Sequence, residues 1–154
     1  MKEKRKHQGT GVTKQRVISQ MTAAILTAAF EDLNSQNIIA YEDFWCCQSC
    51  GCAALKQETI ARIVEGEPII GIAFYHAQDA EDMKRIGKFC IAFSGVAAPD
   101  AQIAQTVVDT LTRYGVQASW CGDTSKRVMV SLTKVTASEL RHSWCKMMMG
   151  FRQS

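Results

Sequence analysis

At 154 residues, 47% hydrophobic and 21% charged, the chain reads as one globular domain that needs neither disulfides nor a metal merely to fold. Its formal charge of +3 is mild and is concentrated in Lys2, Lys4, Arg5 and Lys6, which excludes a broad phosphate-binding face and leaves nucleic acid at most a weak contact with that tail. No apolar h-region of roughly 7–15 residues follows the basic start and no run approaches the about 20 apolar residues of a membrane span, so the expectation is a cytoplasmic protein without membrane contact.

Residues 1–12 are charged, contain glycine and lack periodicity, the pattern of a disordered tail; residues 13–154 then form a single domain. Val17, Met21, Ile25, Ala28, Ala29 and Leu33 recur at helical spacing and predict a first helix from about Lys14 to Asn34. Ile38 to Tyr41 reads as a short strand or an extended connection. A second helix is expected from about Ser49 to Val64, with Cys52, Leu55, Thr59, Ile60 and Ile63 along its apolar side and Gly66 and Pro68 ending it.

Ile69 to His76 is apolar almost throughout, as a central strand buried on both faces would be. Gln78 to Arg85 predicts a short helix, and Lys88 to Ser94 alternates as a strand. Pro99 and Asp100 suit the first turn of a helix that carries Ile103, Val107, Val108, Leu111 and Tyr114 and stops at Gly115. Val116 to Cys121 and Val128 to Thr133 read as two strands joined through Gly122 to Lys126. Thr136 to Glu139 fits a capping box for a last helix with Leu140, Trp144, Met147 and Met148. The order predicts an α+β fold, with an N-terminal and a C-terminal helix and others packed on a mainly antiparallel sheet of about four strands.

Four of the seven cysteines fall within Phe44-Trp45-Cys46-Cys47-Gln48-Ser49-Cys50-Gly51-Cys52. In a reducing compartment such clusters bind metal or exchange electrons more often than they form structural disulfides. Cys47 and Cys50 have the two-residue spacing that lets both sulfurs reach one Zn2+ ion. No second C-x-x-C exists to complete four ligands, so the others must come from Cys46 or Cys52 locally or from His76, Cys90, Cys121 or His142 at a distance, with Cys46 and His76 the first candidates. The same pair at a helix N-terminus would have one thiol acidified by the helix dipole, which suits thiol-disulfide exchange. Trp45 and the helix start resemble a thioredoxin active site, but no proline precedes the hairpin's first strand, where thioredoxins place a cis-proline. Against both stands plain packing, because free cysteine behaves as a small buried hydrophobe. Cys52, Cys90 and Cys121 are expected in the core on that ground.

A second polar run, Tyr75-His76-Ala77-Gln78-Asp79-Ala80-Glu81-Asp82, follows the most apolar strand. His76 could ligate metal or act as a general base, with Asp79 or Glu81 orienting it. The structural alternative is that Asp79 caps the short helix while Glu81 and Asp82 favour its first turn. Gln78, Asp79 and Glu81 are therefore candidate polar site residues. Met147-Met148-Met149 could form an adaptable binding surface, though core packing explains it equally.

Those two runs, taken with Trp120-Cys121-Gly122-Asp123 and Arg127-Val128-Met129-Val130, resemble a bacterial family of a domain of unknown function. In it a C-C-x-x-C-G run precedes an H-x-Q-D-x-E run, and a W-x-G turn leads into an R-[IV]-x-V strand. The resemblance covers about Phe44 to Thr133 and places Cys47, Cys50, His76, Gln78, Asp79 and Glu81 on motif positions. The helix before it and the Met-rich end after it look peculiar to this chain. The resemblance implies no activity, only that the two polar runs belong to one design.

No serine-nucleophile motif, P-loop or dinucleotide fingerprint is present, so no enzymatic activity is assigned. The leading expectation is a small intracellular accessory or regulatory protein that acts through a protein partner and carries a zinc-binding Cys/His cluster. The alternatives are a thiol-disulfide oxidoreductase using Cys47 and Cys50, and an inhibitor protein of mobile-element or genome-defence type.

Overall fold

The computed structural model describes residues 20–132; the basic tail, the predicted start of the first helix and the predicted last helix with its methionines lie outside them. The described chain runs α1 (20–35), β1 (Ile38–Tyr41), α2 (Gln48–Val64), β2 (Gly71–Phe74), α3 (Ala77–Ile86), β3 (Lys88–Gly95), α4 (Asp100–Arg113), β4 (Gln117–Ser119) and β5 (Val128–Ser131). This is an α+β fold. The described sheet has five strands in the order β1-β2-β3-β5-β4, one more than the sequence predicts, because Ile38 to Tyr41 pairs as a strand.

β1 runs parallel to β2, and the remaining pairs are antiparallel. Parallel neighbours require a crossover, and α2 supplies it. β2 is central, between β1 and β3, as its apolar run predicts. It is shorter than the predicted Ile69 to His76, and β4 is shorter than the predicted Val116 to Cys121.

Strand alternation divides the core between the two faces of the sheet. Ile38, Ala40, Ala73, Tyr75, Phe89, Ile91, Val128 and Val130 face one side, with Ile25, Leu26, Phe30 and Leu33 of α1 and Ile103, Val107 and Leu111 of α4. Ile39, Phe74 and Ala92 face the other, where Leu55 of α2 and Ile69 pack. α1 and α4 are further tied by Gln36 Nε2 donating to Thr110 Oγ1 (3.0 Å) and by the Tyr114 hydroxyl donating to Asp32 (3.0 Å). The outer edge of β1 is closed by Asn34, whose side chain donates to the Ala40 carbonyl and accepts from the Ala40 N–H, both at 3.0 Å.

α2 buries only part of the stripe its sequence predicts. Its buried residues are Gly51, Leu55 and Thr59, while Cys52 is exposed and Ile60 and Ile63 lie in solvent. The reason is Gly51. Without a side chain it lets the first turn of α2 sit directly on the buried ring of Phe74, where an added Cβ would come within 2.9 Å of Cζ. The helix rolls toward that contact, and Cys52, one residue on, turns about 100° away from it. The expectation of a core Cys52 is therefore corrected. Cys121 is also exposed, in the loop after β4, and Cys90 is half-buried on the less covered face of β3.

Candidate functional site

Because β1 and β2 are parallel neighbours, the segments that follow them emerge at the same edge of the sheet. The cysteine run follows β1 and the His76 run follows β2. In open α/β sheets the space beyond the carboxyl ends of parallel strands is where ligand sites form. Main-chain bonds stitch the two runs together here. The Phe44 N–H donates to the Tyr75 carbonyl (2.8 Å), and the Ala77 N–H donates to the Trp45 carbonyl (2.9 Å). Cys47 and His76 hold equivalent positions, as the N-cap residues of α2 and α3.

The loop that carries the thiols is held in a costly shape. Asp43 (φ 46°) and Trp45 (φ 63°) both adopt left-handed backbone, which is rare for a bulky aromatic residue and disfavoured by about 1–3 kcal/mol each. Aromatic packing compensates: the Phe44 ring stacks on Tyr41 at 4.6 Å and meets Phe74 edge-on at 5.9 Å. Trp45 remains 55% exposed beside the thiols.

Sγ of Cys46, Cys47 and Cys50 all lie within 4.8 Å of one another. The Cys46 and Cys47 sulfurs are 3.8 Å apart. Two thiolates on one tetrahedral Zn2+, each at about 2.3 Å, stand about 3.8 Å apart, so the Cys46–Cys47 spacing already fits the ion and Cys50 lies within 1 Å of the distance required. Cys47 Sγ also meets the Ser49 hydroxyl at 3.4 Å. That hydroxyl, the Cys50 N–H and the thiols of Cys50 and Cys46 together hold the Cys47 thiol down to about 6. Cys50 is pushed up to about 11 by the neighbouring Cys47 and Cys46 sulfurs. The neighbouring groups thus favour the thiolate form on Cys47 and disfavour it on Cys50.

His76 is not a member of this sulfur group. Its ring is buried, with Nε2 3.1 Å from Asp79 Oδ2, and its Nδ1 has no partner among the described residues. Asp79 is equally buried and serves both roles the sequence allows it. It accepts from the His76 N–H (3.2 Å) as the returning arm of a helix cap, and it faces the imidazole. Its third partner is Arg127, whose Nη1 donates to both carboxylate oxygens at 3.1 and 3.0 Å. Gln78 and Glu81 stand exposed on α3.

Glu42 is a site-edge residue that motif reasoning does not single out, and the motifs that contain Arg127 and Tyr75 give neither residue a partner. Arg127 had a signal, since it opens the R-[IV]-x-V strand of the family resemblance. Glu42, just past β1, accepts from the Tyr75 hydroxyl (3.1 Å) and the Thr27 hydroxyl (2.8 Å). Burial pushes its carboxyl above the usual 4.5, and burial together with Glu42 raises the Tyr75 phenol. A carboxyl raised in the fold contributes stability that is full below its unfolded value and is lost as pH rises through its folded one. Glu42→Gln removes that loss. Its melting temperature is expected to gain on the parent between about pH 4 and pH 8; a difference that stays constant over that range would contradict the burial effect.

Residues 15–135 match the family described as Domain of unknown function (DUF6891). That span reaches beyond the motif-bearing stretch and takes in α1, so the first helix is part of the shared domain and not peculiar to this chain. No curated protein and no solved structure matches the chain.

Proposed function

Since the chain belongs to the DUF6891 family, whose description carries no activity, we propose on geometric grounds that it is a small cytoplasmic accessory protein whose Cys46, Cys47 and Cys50 bind Zn2+ and that acts through a protein partner. The observation that carries this reading is the spacing of the three sulfurs. Three thiolates on Zn2+ leave a residual charge of minus one, and the N-terminus of α2 lies against it. They also leave one tetrahedral position open, on an exposed loop beside Trp45. A donor atom from a partner, or water in its absence, completes the site.

The test is metal analysis of the chain purified without added metal, followed by zinc titration against a chromogenic chelator. About one equivalent is expected, with affinity reduced at least about tenfold in Cys47→Ser and unchanged in Cys121→Ser. Less than about a tenth of an equivalent, with no affinity on titration, overturns the proposal.

The placement of Cys47 as N-cap of α2, with Cys50 one turn on, supports a second reading as a thiol-disulfide oxidoreductase. Cys47 thiolate would attack a partner's disulfide, releasing one partner thiol. Cys50 would then displace the mixed disulfide, releasing the second and leaving a Cys47–Cys50 disulfide for a small dithiol to reduce. In metal-free protein, alkylation of Cys47 is then expected to rise with a midpoint near 6. A midpoint near that of free cysteine, about 8.5, would exclude this chemistry.

A further inference from the structure

The groove on the other half of the sheet lies away from the thiols and carries its own chemistry. α2 covers β1 and β2 on that face, while β3, β5 and β4 form the floor of an open groove of about 450 Å3, with α3 as one wall. The register sets Cys90, Met129 and Ser119 side by side in one row across the floor, and Lys88 and Gln117 in the next. Met129 is 60% exposed there, although it sits mid-strand. A concave site of this size with an apolar floor and a few convergent polar groups suits a small organic ligand.

The charges decide what kind. Asp79 is paired with Arg127 at 3.0 Å and Asp82 with Arg85 at 3.1 Å. The lining carries two cations, Arg127 and Lys88, against Asp79 and Asp82; Arg85 answers Asp82 from outside the lining, which leaves Lys88 without an ion-pair partner among the described residues. Arg127 contributes more than charge. Its Nη1 alone serves both oxygens of Asp79, so the guanidinium is held in place while Nε and Nη2 make no hydrogen bond among the described residues. That edge is the fork that binds a carboxylate or phosphate through two parallel bonds. Holding the fork in advance lowers the ordering cost of binding.

We propose that this groove binds a small organic anion, with a carboxylate or phosphate on Arg127 and Lys88 and an apolar body over Met129 and Cys90. The inference does not rest on zinc binding. It is tested by 1H–15N NMR of the full chain titrated separately with 3-phenylpropionate, phenyl phosphate and the neutral 3-phenylpropanamide. At least one anion is expected to give saturable shifts of the Met129 and Val130 amides and of the Arg127 Nε–H. Which anion does so separates carboxylate from phosphate recognition. The amide should bind at least about tenfold more weakly. Lys88→Gln and the groove-filling Ser119→Trp should each weaken the anion about tenfold, and neither touches the Asp79–Arg127 pair. Absence of saturable shifts with both anions, equal binding of the amide, or indifference to both variants overturns the proposal.

Discussion

Arg127→Met is expected to lower the unfolding free energy by about 3 kcal/mol, and the melting temperature by roughly 10 °C for a chain of this size. The effect comes from Asp79 and not from the lost arginine contacts. The Asp79 side chain is 5% exposed, and Arg127 is the permanent cation beside it, itself 33% exposed. Removing the cation leaves a carboxylate in a poorly solvating site, with a backbone N–H and the His76 ring as its remaining partners. Asp79→Asn keeps the shape and removes the charge, and Arg127 can then turn to water, so about 1–2 kcal/mol is expected. The double variant should be no less stable than Arg127→Met alone, because no stranded charge remains. Denaturant unfolding of the four proteins at about pH 7 reads the cycle. Strictly additive losses would mean that Asp79 does not depend on Arg127.

Gly51→Val is expected to cost about 3 kcal/mol and to weaken zinc binding together with stability. Helix propensity alone would favour replacing this glycine, since Gly within a helix is worse than most residues by about 0.5–1 kcal/mol. The contact with Phe74 reverses the sign. Phe74 is 1% exposed, packed between α2 and the Phe44 ring, so it has no space into which to retreat. The first turn of α2 must lift instead. Cys47 and Cys50 ride on that turn, whereas Cys46 is held by the loop through Trp45 and Ala77. Lifting the turn therefore spreads the three sulfurs. Zinc titration of Gly51→Val beside Gly51→Val/Phe74→Leu checks the account: the smaller side chain at position 74 should restore part of both losses. A Gly51→Val protein as stable as its parent would refute the packing argument.

Much of the fold is legible because it rests on local patterns. Alternation in Lys88 to Ser94 places β3, and the Pro99-Asp100 start and Gly115 stop bracket α4 to within a residue. Ile38 to Tyr41 is ambiguous because four apolar residues fit a strand or a connection equally well; only pairing with Gly71 to Phe74 resolves it. Within the site, the thiol cluster is readable because its three ligands lie within five positions of sequence. Asp79 is readable as a cap from its place at the start of α3. Its pairing with Arg127 spans 48 positions, and no periodicity or spacing encodes a contact of that range. Cys52 faces solvent for a reason that periodicity hides: a helical stripe follows the large apolar residues, while the closest approach of α2 to the sheet is made by Gly51, which has no side chain.

The Asn34 amide that closes the outer edge of β1 also bears on how copies of this molecule can meet. A β-sheet with two bare edges can add strands at both ends and propagate into a fibre. Here the middle of one edge is already bonded, donor and acceptor alike, at Ala40. The opposite edge is β4, three residues long. Strand addition between two copies through β4 leaves each with its Asn34-sealed edge outermost. Among the described residues, each outer edge of the pair is then a strand already bonded at Ala40, which disfavours growth by that route beyond two.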